Sequence, residues 1–285
     1  MSPVRRGVAV LAALAVGLAA QTARAQAKVL EPAPADVEAT ELSRRAARAL
    51  AGERTWMEAA LSLHEGAGAA SSELVFRAWY ERSSRRSFLR VLAPESRAGT
   101  GVLRLPPVVW GYRGADASVE SVAPAQLREP WLGTGFPLDE LLDPPAGLGR
   151  AEARLLGVDP GAGEGGTGRA WVLELRPEAG GRVIAWLEEE HATPLRCEWR
   201  DENDALVATL RFDAVREVAG RPVPHRWTFS RTDAPGRESR LELRAIRFDP
   251  AFDDAIFTTG RLLQRGSVTP AAPDARLAGP GGSPP

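Results

Sequence analysis

Seven stretches of the chain alternate apolar and polar positions with a period of two: Leu74-Phe76-Ala78-Tyr80, Val108-Trp110-Tyr112, Trp171-Leu173-Leu175, Leu195-Cys197-Trp199, Leu206-Ala208-Leu210-Phe212, Trp227-Phe229 and Leu241-Leu243-Ala245. That period predicts strands with one buried and one wetter face. Turn chemistry separates them at Asp201-Glu202-Asn203-Asp204, Gly220-Arg221-Pro222 and Ala234-Pro235-Gly236. Short strands with turns between them predict an antiparallel barrel or sandwich rather than βαβ units. In the last strand the apolar phase slips from Leu241-Leu243-Ala245 to Ile246-Phe248, which predicts a β-bulge.

Two segments break this period. Leu42, Ala46, Ala49 and Leu50 recur at helical spacing before Gly52, with Asp36 as the expected N-cap. An amphipathic helix of this kind has to lay its apolar stripe on something, here the sheet. A second, short helix is predicted from Pro137 to Leu142, with Pro137 in its first turn and Asp139-Glu140 at its N-terminus.

The ends read differently. Arg5-Arg6, then apolar residues from Gly7 to Ala20, then Ala23-Arg24-Ala25 give the three regions of a signal peptide. About 14 apolar residues fall short of the roughly 20 needed to span a bilayer. The expected organisation is a signal peptide over 1–25, a linker over 26–35, one β domain over 36–265, and a disordered Gly/Pro-rich tail over 266–285. Localisation is expected to be periplasmic, with cleavage near Ala25. Cleavage there takes the 36 basic residues to 33 against 37 acidic ones, a net charge of −4. An acidic balance argues against a nucleic-acid partner. Cys197 is the only cysteine and shares its phase with Leu195 and Trp199, so a buried strand position is expected.

No motif for catalysis, cofactor or metal emerges. Gly161-Ala162-Gly163-Glu164-Gly165-Gly166 matches G-x-G-x-x-G, but a strand-like segment follows it where a dinucleotide site needs a helix. His64, His191 and His225 lack zinc-ligand spacing. No G-x-S-x-G elbow occurs. The expectation is a protein that is not an enzyme. The eight tryptophans fall mostly on predicted strands, where they either fill a core or line an apolar cavity.

Phe88-Leu89-Arg90-Val91-Leu92-Ala93-Pro94 running to Gly99-Thr100-Gly101, then Val109-Trp110-Gly111-Tyr112, and above all Pro130-Trp131-Leu132-Gly133-Thr134-Gly135-Phe136-Pro137-Leu138-Asp139-Glu140-Leu141, resemble an ordered series in the LolA-like outer-membrane lipoprotein-sorting proteins. Leu132 stands where that family usually has Met, and Gly135 where it usually has Asp. Gly220-Arg221-Pro222-Val223-Pro224 and Phe248-Asp249-Pro250 with Ile256-Phe257-Thr258 resemble its later strands and C-terminal closure.

The resemblance implies a mainly β fold of the α+β kind: a half-open antiparallel β-barrel with an N-terminal amphipathic helix and short lid helices. It implies a periplasmic carrier of lipid or lipoprotein acyl chains between inner and outer membrane. An inner-membrane exporter and an outer-membrane acceptor are its expected partners. The alternative is a non-transporting envelope binding or assembly factor, accessory to an RND-type exporter. The expected ligand-binding residues are Trp110, Tyr112, Trp131, Leu132, Phe136, Trp186, Trp199 and Trp227. Which of them face a lumen depends on strand phase, since a one-residue slip exchanges the faces.

Overall fold

A computed structural model describes residues 30–264 apart from 67–69, 114–117, 144, 163–167 and 178–179. The expected signal peptide, the tail from 266 and most of the Gly161–Gly166 loop lie outside the described residues. Where the helix of a dinucleotide site would have to follow that loop, a strand stands at Ala170–Arg176.

The described residues hold thirteen strands in one open antiparallel sheet. The first six are β1 Arg54–Glu65, β2 Ala70–Glu81, β3 Arg86–Ala93, β4 Gly101–Leu105, β5 Val108–Arg113 and β6 Ser118–Ser121. The rest are β7 Glu152–Asp159, β8 Ala170–Arg176, β9 Arg182–Glu188, β10 Pro194–Arg200, β11 Leu206–Val218, β12 Arg221–Arg231 and β13 Arg237–Phe248. All seven alternating stretches fall on strands. The order β6-β5-β4-β3-β2-β1-β13-β12-β11-β10-β9-β8-β7 amounts to two meanders joined where β1 pairs with β13. Consecutive strands β6 and β7 therefore lie at opposite edges. The chain between them must cross a face of the sheet, and that crossing is the origin of the lid.

The bulge predicted in the last strand is present. Glu58 opposes Ala245 and Ala59 opposes Leu243, leaving Arg244 as the extra residue. Leu241, Leu243 and Ile246 consequently share one core while Ala245 turns to the opposite face.

Helix α1 spans Ala39–Leu50 and packs Leu42, Ala46, Ala47 and Leu50 into the larger core. Its expected cap at Asp36 is corrected. The helix starts at Ala39 behind Glu38, whose side chain makes no capping bond. Asp36 is spent in a preceding turn, where the Val37 N–H donates to Pro34 O at 3.3 Å. The remaining helices are α2 Pro124–Leu127, α3 Asp139–Leu142 and α4 Thr259–Leu263. The second predicted helix is thus α3, two residues late, because Pro137 is held in a β-bridge with Pro130.

The inner face, covered by α1 and the crossover, carries the larger core. The outer face carries a smaller one, in which Trp56, Trp79, Phe88, Leu103 and Tyr112 meet Ile256, Phe257 and Leu262 of the C-terminal segment. Edge strand β7 is capped by the N-terminal segment. Glu31 and Val158 exchange backbone hydrogen bonds of 2.8 and 2.9 Å. At Gly157 (φ +149) a Cβ would lie 2.6 Å from Glu31 O, so only glycine permits that approach. Such covering suppresses pairing of the edge with other chains.

On β8, Glu174 is 4% exposed and accepts hydrogen bonds from Arg182 Nε (2.8 Å), Arg176 Nη2 (2.9 Å) and Arg154 Nη2 (3.2 Å). Burial alone would raise its pKa, but the hydrogen bonds from Arg182 and Arg154 outweigh that and hold the carboxyl below its ordinary range. A depressed acid contributes stability that is full above its unfolded pKa, about 4.3, and lost as pH falls through the folded value. Glu174→Gln is expected to cost about 2 kcal/mol at neutral pH, less than a fully buried pair because two of the arginines are largely exposed. Urea denaturation should show the gap between parent and variant holding to about pH 5 and closing below about pH 4. A gap unchanged at acid pH would mean that the carboxylate charge is irrelevant there.

Candidate functional site

The crossover from residue 122 to 151 lies on the inner face and is held down at several points. Residues 130–137 form a closed loop in which the Trp131 N–H donates to Phe136 O at 2.8 Å and the Thr134 hydroxyl to Trp131 O at 2.7 Å. The Ser239 hydroxyl of β13 donates to Thr134 O, and Arg97 Nη1 donates to Leu132 O. The Tyr80 hydroxyl donates to Leu141 O of α3 at 2.8 Å, and its burial pushes its pKa well up. The Gly149 N–H donates to the Ser43 hydroxyl of α1 at 2.8 Å. Leu132 has φ +49, a left-handed conformation unusual for a side chain of this kind.

Beneath the lid the aromatic rings interlock. Phe136, fully buried, packs on Phe229 at 5.4 Å, and Phe229 meets Trp199 edge-on at 5.8 Å. Trp131 meets Phe76 edge-on at 5.6 Å, and Trp227 meets Phe212 at the same distance. Tilted and edge-on pairs of this kind favour one arrangement of the interior.

Five of the eight residues expected from the sequence gather here. Trp131, Phe136 and Trp227 are buried in the inner core, and Leu132 and Trp199 pack partly buried against it. The other three face the opposite way. Tyr112 is buried in the outer core and Trp110 packs against it. Trp186 is out of phase with the inward Val183, Ala185 and Leu187, and carries Arg196 over its ring at 3.8 Å. Cys197 is buried on the inner face as expected, and burial drives its thiol pKa up.

Between the lid and the sheet lies a cavity of about 730 Å³. Its apolar wall includes Val109, Leu127, Leu142 and Ala151, and its polar wall holds Arg85, Arg104, Arg128, Arg150, Asp139, Glu140 and Asp143. A second cavity of about 210 Å³ shares Arg128, Asp139 and Glu140 with the first and runs to Trp199, Val207 and Phe229. Asp143 accepts from Arg104 Nη1 at 2.9 Å and pairs with Arg150 Nη1 at 2.6 Å. Burial raises the Asp143 and Asp139 carboxyls and lowers the Arg104 guanidinium.

This arginine collar is not legible as a motif in the sequence. One signal was available: Arg104 shares the inward phase of Val102 on β4, an unusual place for a charge. Arg128 and Arg150 sit on the crossover and Arg85 in the β2–β3 turn, with no spacing in common.

Elsewhere, Glu188, Glu190 and His191 bring ligand atoms within 4.8 Å of one another in the exposed β9–β10 turn. The Glu188 carboxylate is engaged there by the N–H groups of Glu190 (2.8 Å) and His191 (2.7 Å), a turn-closing role.

A family model described only as an uncharacterized protein matches residues 83–264. No curated protein matches the sequence. Among solved structures, a DUF1329 family protein from Desulfovibrio piger superposes with a TM-score of 0.67 at 18% identity, covering 78% of this chain and 97% of its own. An outer membrane lipoprotein-sorting protein domain from Vibrio parahaemolyticus gives 0.67 at 19%, covering 79% and 98%. A LolA superfamily protein from Nitrosomonas europaea gives 0.64 at 16%, covering 79% and 99%. At these identities the likeness is one of fold.

Proposed function

We propose that this chain, which belongs to the uncharacterized family whose model matches residues 83–264 and shares the fold of outer-membrane lipoprotein-sorting and LolA superfamily structures, is a periplasmic carrier that buries an acyl chain between its sheet and its lid. The observation that carries this reading is the cavity of about 730 Å³ under the crossover, continuous in its lining with the smaller one at Trp199 and Phe229. That volume lies within the roughly 300–1,000 Å³ range of small-molecule sites. An aliphatic wall facing a charged one, with the Trp199 and Phe229 rings in the smaller cavity, suits an amphiphile.

Loading requires the lid to lift, because Phe136 and Trp131 fill the inner face in the closed form. Burying ten methylenes yields roughly 8 kcal/mol. Among the described residues, five side-chain hydrogen bonds pin the lid, from Tyr80, Ser239, Arg97 and Arg104 and to Ser43, each worth about 1 kcal/mol and more where charged. A bound chain that takes the place of Trp131 and Phe136 on the inner face also replaces the apolar contacts that lifting them gives up.

Native mass spectrometry of the protein purified gently from its own envelope, followed by organic extraction, tests the proposal. Co-purifying lipid or acylated cargo is the expected result. Protein that is ligand-free and also takes up no lipid from vesicles would overturn it and leave the binding or assembly role.

A further inference from the structure

We infer that the arginine collar selects the cargo headgroup, and that the cargo is an amphiphile carrying a phosphate ester rather than a neutral acyl glyceride. The inference rests on the carrier reading and names its substrate class. Four guanidinium groups, those of Arg85, Arg104, Arg128 and Arg150, line one cavity against three carboxylates. Arg104 and Arg150 converge on the single carboxylate of Asp143. The wall therefore carries a surplus of positive charge, inside a chain with 37 acidic and 36 basic residues.

Chemistry and geometry agree on the ligand. Guanidinium is planar, stays charged and donates in a fork that matches phosphate oxygens. A low-dielectric wall strengthens the attraction. Arg128 lines both the collar cavity and the smaller one that runs to Trp199, Val207 and Phe229, so a headgroup at the collar can send its chain toward those apolar side chains. A network that merely held the lid shut would need no surplus of one sign.

The test uses the mature protein and vesicles of a neutral galactolipid doped with either phosphatidic acid or the diacylglycerol of identical chains. Phosphatidic acid is expected to be extracted about tenfold better, the equivalent of one charge-assisted hydrogen bond. Arg85→Gln/Arg128→Gln spares the two arginines ion-paired with Asp143 and is expected to bring that ratio close to one. Arg85→Lys/Arg128→Lys should restore part of it, which separates loss of charge from loss of fold. Equal uptake of both lipids by the parent protein overturns the headgroup inference and leaves the carrier reading standing. Uptake of neither overturns both. Tight binding of inorganic phosphate with no lipid preference would assign the collar to the free anion instead and overturn the inference.

Discussion

Replacing Gly135 by Asp, the residue of the pattern this segment resembles, is expected to destabilise the protein by about 3 kcal/mol or more. Gly135 has φ +80, and a Cβ built there falls onto the Ser239 hydroxyl. The left-handed backbone alone costs roughly 1–2 kcal/mol for a residue with a side chain. The overlap adds to it, because Ser239 is 3% exposed and its hydroxyl is committed to Thr134 O. An Asp at this position must either break that bond or lift the loop, and lifting the loop pulls Phe136 away from Phe229. Gly135→Ala should fall between parent and Asp. Combining Gly135→Asp with Ser239→Gly should recover part of the loss, since the two sites touch and their effects are not additive. Thermal melts of the four proteins decide the matter. An unchanged melting temperature for Gly135→Asp would show that the lid loop docks differently from the way described.

Gly135 also illustrates what the sequence could and could not reveal. The sequence marks it as a departure from the family pattern; in the fold it is what lets the loop touch β13. Strands with one wet face, such as β11 and β13, were legible because their alternation survives. β1 does not show as a strand in the pattern of the sequence. Both of its faces are buried, the inner by the main core and the outer by the C-terminal segment, so Trp56 and Met57 are both interior and the alternation is erased. The same holds for Val183-Ile184-Ala185 on β9. Periodicity also left the sign of each face open. Trp110 and Tyr112 share a phase, but only the position of the C-terminal segment places them on the outer side. The arginine collar needed the topology itself: Arg85, Arg104, Arg128 and Arg150 come together only because β6 and β7 end at opposite edges and the chain between them crosses the sheet.

Arg90→Met is expected to loosen the outer closure while leaving the inner face folded. Arg90 projects from β3 into the outer core and is 5% exposed. Burial pulls its pKa down to about 10, so it stays charged at neutral pH. Its guanidinium donates to Gly99 O, to Arg261 O at 2.8 Å and to Leu262 O at 2.9 Å, the last two being carbonyls in the closing turn of α4. The rings of Phe88 and Tyr112 lie 5.2 and 5.7 Å from the charge. α4 has five residues, too few to be stable alone. What keeps it in place is this clamp together with the burial of Ile256, Phe257 and Leu262. Methionine retains the apolar packing of the stem and removes all three bonds, each charge-assisted and worth about 1.5–3 kcal/mol before the relief of burying a cation. A net loss of about 3 kcal/mol follows, concentrated at residues 254–264. Amide exchange at Arg261 and Leu262, whose N–H groups bond to Thr258 O, should accelerate far more than exchange on β11 or β12. Arg90→Lys keeps the charge but cannot reach three carbonyls at once, and should lie between the two. Uniform acceleration across the whole sheet would mean instead that Arg90 supports the fold globally and that the C-terminal segment is no separate closure.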